Sequence, residues 1–102
     1  MFRLAAALML ALSLAACDVV NTLTEGFSHA KAVESDLEQK IGVRPKVGFN
    51  WHNGRLVTVT VEYPGLVESK PLNELAETVR ASVTKRFEQT PETIVLAFAL
   101  PK

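Results

Sequence analysis

Between Lys46 and Tyr63 the chain alternates apolar and polar residues twice, once on each side of Asn53-Gly54, and no other stretch limits the possible folds as sharply. Val47, Phe49 and Trp51 alternate with Lys46, Gly48 and Asn50, while Val57, Val59, Val61 and Tyr63 alternate with Thr58, Thr60 and Glu62. A period of two marks half-buried strands, and the turn residues between them make a hairpin. Parity then constrains the turn. A two-residue Asn53-Gly54 loop in a regular ladder pairs Trp51 with Leu56 and Phe49 with Thr58, which sends the two apolar rows to opposite faces. The expected solution is a three-residue loop of His52, Asn53 and Gly54. With Gly54 left-handed at a bulge, Phe49 lies opposite Val57 and Val47 opposite Val59.

Helical periodicity flanks the hairpin. Val20, Leu23, Phe27, Ala30, Val33, Leu37 and Ile41 recur at steps of three and four residues and predict a first helix. Thr22-x-x-Glu25 suits a capping box at its start, and Gly26 weakens its first turns. Gly42 suits its C′ end with Val43 folding back on Leu37, and Pro45 prevents resumption. After a type II turn at Pro64-Gly65, Pro71 suits the first turn of a second helix. Its buried stripe is Leu72, Leu75, Val79, Val83 and Phe87. Glu74 and Glu77 early and Lys85 and Arg86 late favour the helix dipole, and Thr90-Pro91 closes the element. Thr93 to Leu100 reads as a third strand, with Ile94, Leu96, Phe98 and Leu100 on one face and Val95, Ala97 and Ala99 on the other.

The expected fold is therefore α+β: a two-layer αββαβ sandwich whose two helices cover one face of a three-stranded mixed sheet. A right-handed crossover from the second strand to the third allows strand order 2-1-3, with 1-2-3 as the alternative.

The first residues belong to a different regime. Met1-Phe2-Arg3 gives a short positive start, and Leu4 to Ala16 is apolar but for Ser13, the pattern of a secretion signal. That run is short of the roughly 20 residues a membrane-spanning helix needs. Residues 1–16 are thus expected to be a cleaved signal peptide, and 17–102 one small domain behind a short tether. Leu14-Ala15-Ala16-Cys17 resembles the bacterial lipobox at all four positions. The resemblance implies diacylglycerol on the sulfur of Cys17, cleavage before it, and acylation of the new amino group. Such anchoring far exceeds the two-signal threshold for stable membrane attachment. Cys17 is also the only cysteine, so no internal disulfide is available and, once lipidated, no thiol nucleophile. Asp18 resembles the inner-membrane retention signal of enteric lipoproteins.

Catalytic devices are scarce. His29 and His52 are the only histidines, and neither has the spacing of a metal site; they read as a helix-surface and a loop residue. No Gly-x-Ser-x-Gly elbow, phosphate loop or dinucleotide fingerprint occurs. Glu34, Asp36 and Glu38 alternate on the first helix and read as a solvated face. Trp51, in phase with Val47 and Phe49, reads as core. The less ordinary surface is the sheet face opposite the helices: Gly48, Asn50, Thr58, Thr60, Val95, Ala97 and Ala99. These side chains are small, so the face should be flat and open to docking. Formal net charge is zero with both signs interspersed, which argues against a nucleic-acid partner.

The reading that follows is a lipid-anchored protein of the bacterial cell envelope, facing the periplasm. It acts as a small binding or assembly module rather than an enzyme, with no cofactor beyond the lipid on Cys17. Its expected partners are the membrane, through the anchor, and another envelope protein meeting the open sheet face or the edge of the second strand. The alternative is a small periplasmic ligand-binding protein or enzyme with a site near Pro64-Gly65 and the second helix.

Overall fold

The computed structural model describes residues 24–102, so Cys17, Asp18 and Thr22 lie outside the described residues. The hairpin joins β1 (Lys46–His52) to β2 (Arg55–Tyr63) through Asn53-Gly54 alone. Asn53 has φ 52° and Gly54 φ 77°. Two successive positive values are what a type I′ turn requires, and the right-handed twist of the strands favours it. The three-residue loop is thus replaced by the two-residue one, with His52 opposite Arg55 and Trp51 opposite Leu56. Parity is restored within β2 instead. The register shifts between Asn50 and Trp51, which are paired with Thr58 and Leu56, so Val57 is left unopposed as a bulge. Beyond it Phe49 faces Val59 and Val47 faces Val61, and Leu56 takes the core place expected of Val57.

A helix, α1, covers residues 24–41. Ala30, Val33, Leu37 and Ile41 are buried along its inner face, but Phe27 is exposed with its ring edge-on to Phe49 at 5.5 Å. Gly26 has a positive role here. A Cβ at that position would come within 2.7 Å of the Phe49 ring, so the missing side chain is what lets helix and strand close together. Gly42 ends the helix at φ 92°, its N–H on the carbonyl of Glu38 at 2.9 Å. Val43 is exposed rather than folded back on Leu37.

The second helix, α2, spans Leu72–Arg86 with Pro71 at its N-cap, Glu74 in its first turn and Lys85 and Arg86 in its last. Its buried stripe is Leu75, Val79, Ser82 and Val83, while Leu72 is exposed. The chain turns extended at Phe87, before Thr90-Pro91 is reached, and the buried Phe87 ring remains in the core. Gly65 does not take positive φ, so the connection after β2 is not the expected type II turn.

The third strand, β3 (Thr93–Phe98), pairs parallel to β2, and the sheet order is β1-β2-β3, the second of the two expected orders. A strand, helix and parallel strand in immediate succession close most directly side by side. This order also places β2 in the centre, where Leu56, Val59, Val61 and Tyr63 are almost wholly buried. The architecture is the α+β sandwich, two helices and a three-stranded mixed sheet around one core. At β3 the cover thins: Ile94, Leu96 and Phe98 are half-buried, and Leu100, past the strand end, is exposed.

Candidate functional site

The seven residues of the candidate docking face come from all three strands, and pairing assembles them in rows. Gly48, Thr60 and Val95 form one row across the sheet; Asn50, Thr58 and Thr93 form the next; Lys46, Glu62 and Ala97 form a third. Because strand side chains alternate between faces, burial of Val47, Val59 and Val61 beneath the helices sends these rows outward. Val95 is 39% exposed, and a Cβ on Gly48 would meet nothing within 4 Å. Ala99 lies at the margin, where its N–H donates to the carbonyl of Tyr63 at 2.9 Å and extends the ladder past the end of β3. Hydroxyls, one amide and small apolar groups make a flat surface. Its ionisable residues, Lys46 and Glu62, sit opposite each other in the end row. The edge of β2 offers no docking route, because β2 is paired on both sides.

The carboxylates of α1 overturn the expectation of a solvated face. Glu34 and Asp36 are both buried, and each is claimed by a different neighbour. Glu34 reaches β1: its Oε2 accepts the backbone N–H of Val47 at 3.0 Å and its Oε1 accepts from Arg44 at 3.1 Å. Asp36 reaches α2: Oδ2 accepts from Ser82 Oγ at 2.7 Å and pairs with Lys40 at 3.3 Å, and Oδ1 accepts from Arg86 at 3.4 Å. The Ser82 hydroxyl, with help from Lys40 and Arg86, holds the Asp36 carboxyl below its ordinary range despite desolvation. Glu38 alone behaves as expected, exposed and bound to Arg44 at 3.0 Å. That bond, with Glu34 close by, raises the Arg44 guanidinium above its ordinary value. A signal for this was present in α2, where Ser82 lies three residues after Val79, beside the apolar stripe, and a hydroxyl buried there takes a polar partner.

A cleft of about 340 Å³ lies beside Pro64, lined by Lys31, Glu34, Arg44, Lys46, Glu62 and Tyr63 among others. It takes in Pro64 of the expected ligand region but no residue of α2. Glu34 there already holds Arg44 and the β1 backbone, while the buried Tyr63 hydroxyl has no hydrogen-bond partner among the described residues. A second cleft, of about 290 Å³, lies between the start of α1, the hairpin and the end of α2, with Glu25, His29, Trp51, Phe87 and Gln89 in its wall. Gln89 there clamps the hairpin, accepting from Leu56 N–H at 2.9 Å and donating to the carbonyl of Gly54 at 3.0 Å.

His29 is half-buried, its ring edge-on to Phe87 at 5.6 Å, rather than a plain surface residue. His52 is exposed in the last position of β1. Trp51 is half-buried against the core, with Nε1 buried and unpaired. Among the described residues no group of three or more His, Cys, Asp or Glu could hold a metal ion, and no helix is long and apolar enough to cross a membrane. The expected sites Cys17 and Asp18 fall outside the described residues. Comparison with protein-family models, curated proteins and solved structures finds no match to the chain.

Proposed function

We propose that this chain is a lipid-anchored protein of the bacterial cell envelope whose domain serves as a small binding or assembly module facing the periplasm. The anchor rests on Leu14-Ala15-Ala16-Cys17, with lipid on Cys17, and Asp18 favours the inner membrane. The observation that carries the binding role is the continuous face of Gly48, Thr60 and Val95 with Asn50, Thr58 and Ala97, which no helix among the described residues covers. The partner is another envelope protein with a flat, weakly polar surface, since small side chains permit close backbone approach and supply little charge for steering. A small-ligand role has less support because Glu34, in the wall of the Pro64 cleft, is already held by Arg44 and the Val47 N–H.

Two measurements test this. Mass spectrometry of the chain purified from a bacterial membrane should find diacylglycerol on Cys17 and none of residues 1–16, and Cys17→Ala should abolish both. A photocrosslinker at Thr58, Thr60 or Val95 should capture an envelope protein that the same probe at exposed Glu77 of α2 does not. Equal capture from both surfaces would remove the docking role.

A further inference from the structure

The two free edges of the sheet differ in their protection. An edge strand presents unpaired N–H and C=O groups, and proteins blunt such edges with charges, prolines, bulges or covering elements. At β1, the outward N–H of Val47 is taken by Glu34. At β3, the chain runs from Ile94 to Leu100 with no charge, proline or glycine. Among the described residues β3 pairs with β2 alone.

One bond sets the backbone direction along that edge. Ala99 directs its N–H at Tyr63 on β2. N–H and C=O groups reverse direction at each successive residue of a strand, so Val95 and Ala97 also point at β2. The backbone groups of Ile94, Leu96 and Phe98 therefore point outward, with Leu100 following if the strand direction continues.

We propose that β3 pairs antiparallel with β3 of a second copy of this chain, about a two-fold axis at Ala97, giving one continuous six-stranded sheet. In this register Leu96 lies opposite Phe98 and Ile94 opposite Leu100. All four residues then meet as hydrogen-bonded pairs through their outward groups. Side-chain parity is kept, so both cores lie on one side and both docking faces on the other. Charge favours this register over its neighbours: Glu92, whose carboxylate also holds Arg55 of its own chain at 2.8 Å, comes opposite Lys102 at both ends of the apolar run. Centring on Leu96 instead sets Glu92 against Leu100. Pro101 falls opposite Thr93 at a position whose N–H the dimer ladder does not use, so it does not obstruct pairing. The half-buried Ile94, Leu96 and Phe98 gain from the partner the cover that their own helices do not supply. The proposal draws only on β3 and its flanks and does not depend on lipid at Cys17.

Cysteine crosslinking of the full chain in mild detergent reads the register directly. At the axis Ala97 meets its copy as a non-hydrogen-bonded pair, about 4.5 Å between Cα atoms, within disulfide reach. Val95 and its copy are offset by four residues, about 13 Å, which is beyond that reach. Ala97→Cys should therefore give a disulfide dimer at least about tenfold more readily than Val95→Cys, with the unsubstituted chain controlling for Cys17. Ala97→Lys, on the open face, should keep the circular dichroism of the fold and sediment as a monomer. Lys102→Glu, which sets a carboxylate opposite Glu92, should weaken the dimer. The proposal is overturned if the unsubstituted chain sediments as a monomer. It is equally overturned if Ala97→Cys and Val95→Cys crosslink alike. A disulfide between the thiol introduced by Ala97→Cys and Cys17 of the same chain would also overturn it, by placing the leading residues on this edge.

Discussion

The β1 and β3 edges border the same central strand, yet β1 is tied into the domain and β3 is only partly covered. Glu34 from α1 closes the outward N–H of Val47, Phe49 sits against Gly26, and Gln89 clamps the turn that ends the hairpin. On β3, Ile94, Leu96 and Phe98 are only half-buried, and Thr93 and Val95 are exposed. The contrast teaches that apolar content alone does not make a strand interior. The Ile94–Leu100 run is the most continuously apolar of the three strands, yet it lies at an edge of the sheet.

The largest expected effect compares cover across the sheet. Leu37→Ala, in the sealed part of the core, should cost about 2–5 kcal/mol by urea denaturation. Leu96→Ala on β3 should cost about half as much, because its side chain is only partly removed from water. Equal losses would mean that Leu96 on β3 is packed as well as the sealed core around Leu37 and would end the contrast. Next is Glu34→Ala, which leaves the Val47 N–H without its acceptor and should cost about 1–3 kcal/mol. Faster amide exchange at Val47 would show the β1 edge opening, and unchanged exchange would show that something other than Glu34 protects it.

Asp36 sharpens the comparison through pH, as the α2-facing counterpart of Glu34. Its carboxyl is lowered in the folded state, so its contribution is present above the ordinary value of 3.8 and is lost as pH falls through the lower folded value. Asp36→Asn should flatten the acid limb of a stability profile, while leaving the neutral-pH protection of Val47 unchanged. The smallest effect belongs to Tyr63, which is stacked on Phe98 of β3 at 6.1 Å with a buried hydroxyl that has no partner. Tyr63→Phe should be neutral or stabilising by up to about 1 kcal/mol. Burial pushes the phenol up to about 12 from its ordinary 10, so the fold favours the protonated form. That contribution is intact below pH 10, is lost as pH rises to about 12, and should vanish from the alkaline limb in Tyr63→Phe.

Much of this was legible locally. The alternation from Val47 to Tyr63 gave both strands, the three and four residue steps gave both helices, and Gly42 marked the end of α1. The outward sheet face was legible as well, because strand parity alone assigns Gly48, Thr60 and Val95 to the side away from the core. The leading residues carry their own message in Leu14-Ala15-Ala16-Cys17, independent of any fold.

What periodicity could not supply was anything decided between elements. Local pattern shows that parity must be repaired but not where, and the type I′ turn left the repair to a bulge at Val57. Glu34 and Asp36 look like ordinary helix-surface carboxylates until Val47 and Ser82 are brought against them from 13 and 46 residues away in the chain. Strand order was likewise undetermined, since β3 satisfies its own pattern beside either neighbour. The sequence by itself determined which segments are helix or strand and which side of each is apolar, because those depend on the spacing of nearby residues. Only the tertiary structure decided which strand is central, which carboxylates are buried and which edge stays open, because those depend on what long-range packing places alongside.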